Sequence, residues 1–261
     1  MTWPQMVWIG GAPGAGKSTI ARSIARRWDL PLHPVDLWTY DHVGRMPPMR
    51  SLAEDLAEGP AFAADAFVRI SRTRLELVSE DVRGRELGDV PALVEGPQLF
   101  PSMANGVAAA VWLVPDGEQT RRAREERLAQ VEDPEGRARL EGLLARDAVL
   151  ADLVRREAVE HGRTLIEVSA APDWVDITAA VEKALGSLPQ LGAGGELQKQ
   201  RQYENQAACR QGRLWQEDIG LASLPPYPFA CECGCSGCSA VWSGTPDEYD
   251  VRRADGWLTV C

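Results

Sequence analysis

A stretch near the start of the chain matches the phosphate-binding P-loop. The residues from Gly11 to Ser18 fit the pattern G-x-x-x-x-G-K-[S/T], between an apolar segment and a helical one. Backbone N–H groups and the positive end of the helix would bind phosphate oxygens there; the alternative is a glycine-rich turn before a helix. We expect Lys17 to reach the β- and γ-phosphates of ATP or GTP, and Ser18 to bind Mg²⁺. The residues expected to contact the nucleotide are Gly11, Gly14, Ala15, Gly16, Lys17, Ser18 and Thr19.

Two carboxylates lie at the ends of apolar segments that predict buried strands. Asp36 follows residues 32–35, and Glu95 lies near the end of residues 91–96. Because ligands of parallel sheets bind at the carboxyl ends of the strands, both are expected beside the P-loop. Asp36 is the candidate base for an acceptor hydroxyl, with a turn or helix cap as the alternative. Glu95 is a candidate to hold Mg²⁺ through water or to touch the acceptor, with a strand-end cap as the alternative.

Charged residues after Asp36 could bind the acceptor. His42 and Arg45 are the candidates for this role, a few residues beyond the predicted base. The alternative is structural, because Asp41 and Arg45 lie four apart and would pair on one helix face. The sequence leaves both interpretations open.

Four arginines fall within one predicted helix, residues 116–130, at positions 121, 122, 124 and 127. Phosphoryl transfer uses arginines that a mobile lid brings to the transferred group, and residues 132–136 predict a loop that suits a lid tip. The alternative is a solvated helix face with pairs four residues apart. We expect most of these arginines to be solvated and one or two to bind phosphate.

The remaining pattern predicts an α/β fold with a mainly parallel five-stranded sheet covered by helices. Strands are expected at 6–9, 32–35, 91–96, 107–114 and 164–168. Helices are expected at 19–28, 54–80, 116–130, from the lid loop to about 161, and at 174–185.

The last third of the chain differs in composition. Residues 1–185 form the expected P-loop domain, residues 186–195 a glycine-rich linker, and residues 196–261 a small α+β module. Five of the six cysteines follow position 230. A zinc ion held by the thiols is one interpretation; free thiols and a disulfide are the others. An extended strand would separate positions 231 and 235 by about 13 Å, so a zinc site requires a turn at Gly234. The candidate ligands are Cys231, Cys233, Cys235 and Cys238, with Cys209 or Cys261 able to complete a set.

The net charge of −10 argues against a broad nucleic-acid-binding face. No apolar run has the length of a membrane span, and the N-terminus lacks the pattern of a signal peptide. We therefore expect a cytoplasmic protein that binds a nucleotide and a small-molecule acceptor. A protein partner for the C-terminal module stays open.

Residues 6–185 resemble the branch of P-loop proteins that contains nucleoside-monophosphate, shikimate and gluconate kinases. The resemblance is carried by Gly11 to Thr19, Asp36, Glu95-Gly96-Pro97 and the arginine helix after Val114-Pro115-Asp116. It implies ATP- and Mg²⁺-dependent phosphoryl transfer. It also implies an arginine over the adenine, one in the lid and one on phosphate, at Arg122, Arg127 and Arg146. The acceptor is not implied, because the acceptor signatures of adenylate, gluconate and shikimate kinases are absent.

Residues 200–261 resemble a small cysteine-bearing module found in bacterial proteins without a settled activity. The matching parts are Tyr203-Glu204-Asn205, Cys231-Glu232-Cys233, Cys238, Asp247-Glu248-Tyr249 and Arg252.

Two functions follow from these patterns. The first is a kinase acting on a small hydroxylated or phosphorylated acceptor. The second is a nucleotide-dependent switch or regulatory ATPase that signals through the C-terminal module. The absence of an N-K-x-D motif and of an apolar strand ending in Asp-Glu argues against a GTPase and an AAA machine.

Overall fold

A computed structural model describes residues 5–85, 87–128, 134–254 and 256–261. Five parallel strands form the main sheet, in the spatial order β2-β3-β1-β4-β5. The predicted α/β fold with a five-stranded parallel sheet is therefore confirmed. The strands are β1 (Met6–Gly11), β2 (Leu32–Pro34), β3 (Ala92–Glu95), β4 (Ala109–Pro115) and β5 (Leu165–Val168).

Helices cover both faces of this sheet, and no described helix is long and apolar enough to cross a membrane. Short 3-10 turns occupy Val35–Trp38 and Pro101–Met103. The helices are α1 (Lys17–Arg27), α2 (Thr39–Arg45), α3 (Leu52–Ala57), α4 (Pro60–Arg83), α5 (Gly117–Leu128), α6 (Pro134–Glu160), α7 (Trp174–Leu185), α8 (Gly195–Ile219) and α9 (Pro246–Arg253).

Two predicted boundaries are wrong for local reasons. The single helix expected at 54–80 is two helices, because Gly59 has a φ of 108° and Pro60 begins a new helix. Ser51 caps the first of these two helices with a capping box. The expected lid loop at 132–136 is also wrong in part, because α6 begins at Pro134. The rest of that loop lies outside the described residues.

Alternation along β1 divides the core into two layers. Met6 and Trp8 face a cluster that α4 and α6 cover, whereas Val7 and Ile9 face one that α1 and α7 cover. All of β1 is buried, as a central parallel strand with helices on both faces should be. The buried sheet thus holds the loop after β1 in a fixed place.

The C-terminal region packs against the open edge of this sheet. It contains α8, α9 and an antiparallel pair, β6 (Tyr227–Ala230) and β7 (Val241–Gly244). Glu204 on α8 accepts a hydrogen bond from the backbone N–H of Leu32 at 3.0 Å. Arg201 donates to the carbonyls of Leu30 and Ala25, and to Glu204 at 3.0 Å. A buried ion pair thus supplies hydrogen bonds at the edge strand, where no further strand pairs.

The segment at 186–195 is anchored to the P-loop domain as well. Leu191 is buried, and its N–H donates to the carbonyl of Asp29 at 3.0 Å. The N–H of Gly194 donates to the carbonyl of Gly234 at 2.9 Å. These contacts tie the segment to the end of α1 on one side and to the cysteine-containing loop on the other.

A buried polar network fastens α2 to α4 beneath β2. His42 bonds Asp81 at 2.9 Å through Nε2, and its Nδ1 accepts a bond from Arg74 at 3.4 Å. Arg45 donates to Asp81 at 2.7 Å. His33, His42 and Asp81 lie close enough together to hold a metal ion. We assign the group a structural role, because Arg74 and Arg45 already occupy acceptor atoms of His42 and Asp81.

His33 differs from its neighbours because its ring nitrogens have no hydrogen-bond partner among the described residues. The ring is fully buried and stacks on Trp38, with 5.7 Å between centroids. Burial lowers the pKa of His33 to about 3, and the charge of Arg85 adds to the effect. The folded chain therefore holds this histidine neutral at pH values where the unfolded chain protonates it.

We predict that His33 makes the protein acid-sensitive. In the unfolded state His33 has its ordinary pKa of about 6.5 and is protonated below that pH. In the folded state the pKa of His33 is about 3, so the ring stays neutral until the pH falls to that value. As the pH decreases from about 6.5 to about 3, the free energy of unfolding should therefore fall. His33 contributes up to about 1.4 kcal/mol per pH unit to this fall. Urea unfolding at a series of pH values should show a shallower decline for His33→Phe than for the wild type. The exposed His161→Phe should keep the wild-type slope; an equally steep decline for His33→Phe would exclude His33 as the source.

Candidate functional site

The loop after β1 has the backbone conformation of a phosphate-binding nest. Gly14 and Gly16 have φ values of 85° and 73°, a region that residues with side chains rarely adopt. A Cβ at position 16 would lie 2.4 Å from the ring of Trp174, and one at 14 would lie 3.2 Å from Thr120. The positive φ and these protein neighbours explain the two glycines, in addition to the close phosphate approach predicted from the sequence.

Lys17 and Ser18 begin α1 directly after this loop. The Lys17 ammonium donates to the carbonyl of Ala12 at 2.7 Å, so the side chain folds back along the loop. The Ser18 hydroxyl lies beside the carboxyl of Glu95, which ends β3, and both line one cavity. The predicted lysine, hydroxyl and strand-end carboxylate are therefore brought together by the neighbouring strands β1 and β3.

A cavity of about 260 Å³ opens above the loop. Its lining residues come from the loop and α1 on one side, from the ends of β2 and β3 in the middle, and from α4, α5 and α6 on the other side. Six ionisable side chains line the cavity: Lys17, Arg22, Asp36, Glu95, Arg124 and Arg146.

Glu95 is almost completely buried at the floor of this cavity. Burial raises the pKa of Glu95 to about 7, and the charge of Asp36 acts in the same direction. Lys17 and the Ser18 hydroxyl oppose the rise but do not cancel it. A divalent cation would favour the ionised carboxylate, and the oxygens of Ser18, Glu95 and Asp36 are the hard ligands that Mg²⁺ prefers.

Asp36 lies in the 3-10 turn after β2 and is exposed to the cavity. Gln98 donates to its carboxylate at 2.9 Å. Arg74, almost fully buried, donates to the carbonyl of Val35 at 2.7 Å and to Thr39 at 3.1 Å, which fixes the turn on both sides of Asp36. The carboxylate therefore has a defined position and a free side toward the cavity.

Two arginines on different helices share one carboxylate. Asp147 is fully buried and accepts from Arg124 on α5 at 2.6 Å and from Arg146 on α6 at 2.7 Å. The Arg146 guanidinium also lies over the Phe67 ring, 5.4 Å from its centroid. One negative charge does not balance two guanidinium groups, so this wall of the cavity is positive and suits phosphate oxygens.

Some predicted residues lie elsewhere. Arg122 is exposed and does not line the cavity. It donates a hydrogen bond to Gln119, which donates to the Gly14 carbonyl at 3.0 Å. The side chain of Arg127 lies outside the described part of the structure. His42 is fully buried, and Arg45 pairs with Asp41 at 3.2 Å. These contacts match the structural interpretation of the two residues rather than acceptor binding.

Several residues that line the cavity were not predicted, among them Arg22 on α1. Arg124, Gln98 and Phe67 line the cavity, but the sequence offers little to select them. Arg124 is one of four arginines on a charged helix, and only the position of Asp147 distinguishes it from the others. Gln98 follows Glu95 by three residues, and this spacing after a strand end is the one signal that could have identified it.

A second, larger cavity of about 590 Å³ lies on the other side of Asp36. Asp36 lines both cavities. Arg22 lines the first, Tyr227 lines the second, and the Arg22 guanidinium lies 5.8 Å from the Tyr227 ring centroid. The rest of the second cavity is mostly apolar and includes Leu37, Trp215 and Leu224.

The cysteine group differs from the predicted one. Cys231, Cys233 and Cys238 lie together as expected, but Cys235 is exposed and lies outside the group. Cys261 takes its place. The predicted turn at Gly234 has a φ of 70°, and the Cys235 thiol beyond it lies beside Cys233 without joining the group in which all sulfurs are mutually close.

No protein-family model matches the chain, and no curated protein matches it. Three solved structures share parts of the fold at low identity. They are a gluconokinase from Sinorhizobium meliloti 1021 (16% identity, 71% of this chain and 93% of that one, TM-score 0.41), TT1252 from Thermus thermophilus (20%, 70% and 97%, 0.43) and an uncharacterized protein from Eubacterium ventriosum ATCC 27560 (13%, 69% and 97%, 0.36). With TM-scores below 0.5, these likenesses assign neither activity nor acceptor to this chain.

Proposed function

We propose that the protein is an ATP- and Mg²⁺-dependent phosphotransferase acting on a small hydroxylated or phosphorylated acceptor. The observation that carries this proposal is the single cavity shared by Lys17, Asp36, Glu95, Arg124 and Arg146. It combines a phosphate-binding loop, carboxylates for metal and proton, and a positive wall opposite the loop. Use of ATP also implies a cytoplasmic protein.

The chemistry requires a nucleophile, a leaving group and a proton acceptor. The acceptor hydroxyl oxygen attacks the γ-phosphorus, the bond from that phosphorus to the β–γ bridging oxygen breaks, and ADP leaves with the electron pair. Asp36 takes the hydroxyl proton. Lys17, Arg124 and Arg146 stabilise the charge on the transferred group. Ser18 would hold Mg²⁺ directly and Glu95 would hold it through water; when bound, the ion would neutralise phosphate charge.

A regulatory ATPase or switch is the second candidate. It is supported by direct contact between the end of the P-loop helix and the C-terminal module. Asp29, just after α1, accepts hydrogen bonds from Ser236 and from the N–H of Gly237 at 2.9 Å. A switch would show nucleotide-dependent exposure of the module without acceptor phosphorylation, whereas a kinase would form a phosphorylated product.

We predict that Lys17→Ala abolishes transfer without unfolding the chain. The substitution removes the positive charge that Lys17 would place against the β- and γ-phosphates. ADP production should therefore fall by at least about 10²-fold. A coupled ADP assay measures the loss, and circular dichroism checks the fold. Lys183→Ala, which removes an exposed lysine on α7, should keep full activity. Full turnover in Lys17→Ala would remove the basis for the proposed enzyme.

We predict that Asp36→Asn separates binding from transfer. A screen of nucleosides, sugars and antibiotics with ATP first identifies an acceptor. The variant should then bind Mg·ATP with nearly wild-type affinity and phosphorylate the acceptor about 10²–10⁴-fold more slowly, because the base is lost. The exposed Asp65→Asn on α4 is the matched control. A parallel loss of Mg·ATP affinity would place Asp36 in the metal site, and no loss at all would make it a cap.

A further inference from the structure

Four cysteine sulfurs converge on one point in the C-terminal region. Those of Cys231, Cys233, Cys238 and Cys261 all lie within 4.8 Å of one another. The pair Cys231 and Cys261 is 3.6 Å apart, although the two residues are thirty positions apart in sequence. Tetrahedral zinc with Zn–S bonds of about 2.3 Å requires sulfurs about 3.8 Å apart, so small side-chain adjustments suffice.

The surrounding backbone supports thiolates at this point. The N–H of Cys235 donates to the sulfur of Cys233 at 3.3 Å, and the N–H of Val260 donates to that of Cys231 at 3.3 Å. Such second-shell donors orient metal ligands and stabilise their negative charge. Gly234 and Gly237, with φ values of 70° and 66°, provide the two turns that return Cys238 to Cys233.

We propose that these four cysteines form a structural zinc centre, closed by four thiolates and therefore without a position for substrate. Its role is to fix the loop at 233–238. Ser236 and Gly237 of that loop bond the carboxylate of Asp29, which is buried and has a φ of 48° directly after α1. The centre thereby fastens the C-terminal module to the helix that begins at the P-loop.

Metal analysis of the full-length protein tests the site. We expect one zinc per chain in the wild type and in Cys235→Ser, whose sulfur is in the same loop but outside the group. Cys238→Ser and Cys261→Ser should each lose most of the zinc. Replacement by Co²⁺ should give the absorption of a tetrahedral thiolate site in the wild type, a readout that does not depend on variants that fail to fold.

Hydrogen exchange tests the proposed role. Removal of zinc by a chelator should increase exchange at residues 233–238 and around Asp29 by at least about tenfold. Equal zinc loss in Cys235→Ser would overturn the ligand set. A metal-free wild type that takes up no Co²⁺ after reduction would overturn the centre, and unchanged exchange after zinc removal would overturn its fastening role.

The second cavity supports an independent inference, which rests on the proposed function. Asp36, the candidate base, lines both the phosphate cavity and the larger one beside it. A group that loses its proton to Asp36 can therefore enter from either side. The phosphate side has a volume of about 260 Å³, which the nucleotide phosphates would share, whereas the other side has about 590 Å³.

The walls of the larger cavity determine what would fit. One wall is the turn at Leu37, another is α8 with Ala208 and Trp215, and a third is the segment from Leu224 to Tyr227. These groups offer mostly apolar and aromatic surface; the polar exceptions are Thr39, Gln211 and the Tyr227 hydroxyl, and the charged lining residue is Asp36. An acceptor with one hydroxyl near Asp36 and an apolar or aromatic body in the cavity matches this distribution.

We infer that the acceptor is an alcohol with a bulky apolar or aromatic body, and that the C-terminal module provides much of its binding site. A polyhydroxylated acid such as gluconate carries more hydroxyl groups than Thr39, Gln211 and Tyr227 can pair, and would place the others against apolar walls. The module therefore acts as a specificity element, which gives Trp215 a role in acceptor binding and no role in the chemistry.

Calorimetric titration tests this with benzyl alcohol and 2-naphthalenemethanol, in the presence of Mg²⁺ and a non-hydrolysable ATP analogue. The larger aromatic body should bind about fivefold more tightly. Trp215→Ala should weaken its binding about tenfold through the lost aromatic contact. Trp257→Ala is the matched control, because Trp257 is 39% exposed, like Trp215 at 37%, but does not line the cavity.

Phosphorus NMR with ATP distinguishes failure of this inference from failure of the proposed function. Formation of the naphthyl phosphate ester, with Trp215→Ala needing more alcohol for the same rate, supports both. If the alcohol binds in a way that depends on Trp215 but no phosphate ester forms, the binding cavity is supported and the proposed kinase activity is overturned. Phosphorylation of D-gluconate at a rate that Trp215→Ala does not change supports the kinase and overturns the acceptor class. Absence of alcohol binding overturns the acceptor class alone.

Discussion

The open edge of β2 is the constraint around which the C-terminal region is arranged. A strand with one neighbour leaves backbone groups unpaired, and buried unpaired groups are costly. Here Glu204 accepts from Leu32, and Arg201 reaches carbonyls near the end of α1 and before β2. Because β2 leads directly into the turn of Asp36, the helix that covers the edge also supports the candidate base. The two regions, distinct in sequence, therefore share one buried polar interface.

Much of the P-loop domain could be predicted because its signals are local. The phosphate-binding loop, the five strands and α7 follow from apolar runs, glycines and helical period. The break between α3 and α4 was not predicted, because the apolar positions keep a helical period on both sides of Gly59 and Pro60. The docking of α8 could not be predicted, since it depends on a carboxylate meeting one N–H that is 172 positions away.

The site divides in the same way. Lys17, Ser18, Asp36 and Glu95 could be placed because parallel strands bring their carboxyl ends to one edge. The arginines could not be ranked, because only the buried Asp147 shows that Arg124 and Arg146 face the cavity together. In the cysteine group, local spacing favoured Cys235, and only the tertiary approach of residues 260 and 261 to Cys231 shows otherwise.

The separation of β2 from Glu204 also has a consequence during synthesis. A ribosome adding about 5–20 residues per second needs roughly 10–35 s to make the 172 positions between Leu32 and Glu204. All five strands have been made once Val168 is added, so the complete sheet has an uncovered edge during synthesis of the 36 residues from there to Glu204, roughly 2–7 s. Such an edge can pair with other chains. The interval before α8 arrives is therefore the period in which the nascent chain depends most on chaperones, and slow decoding after β5 would prolong it.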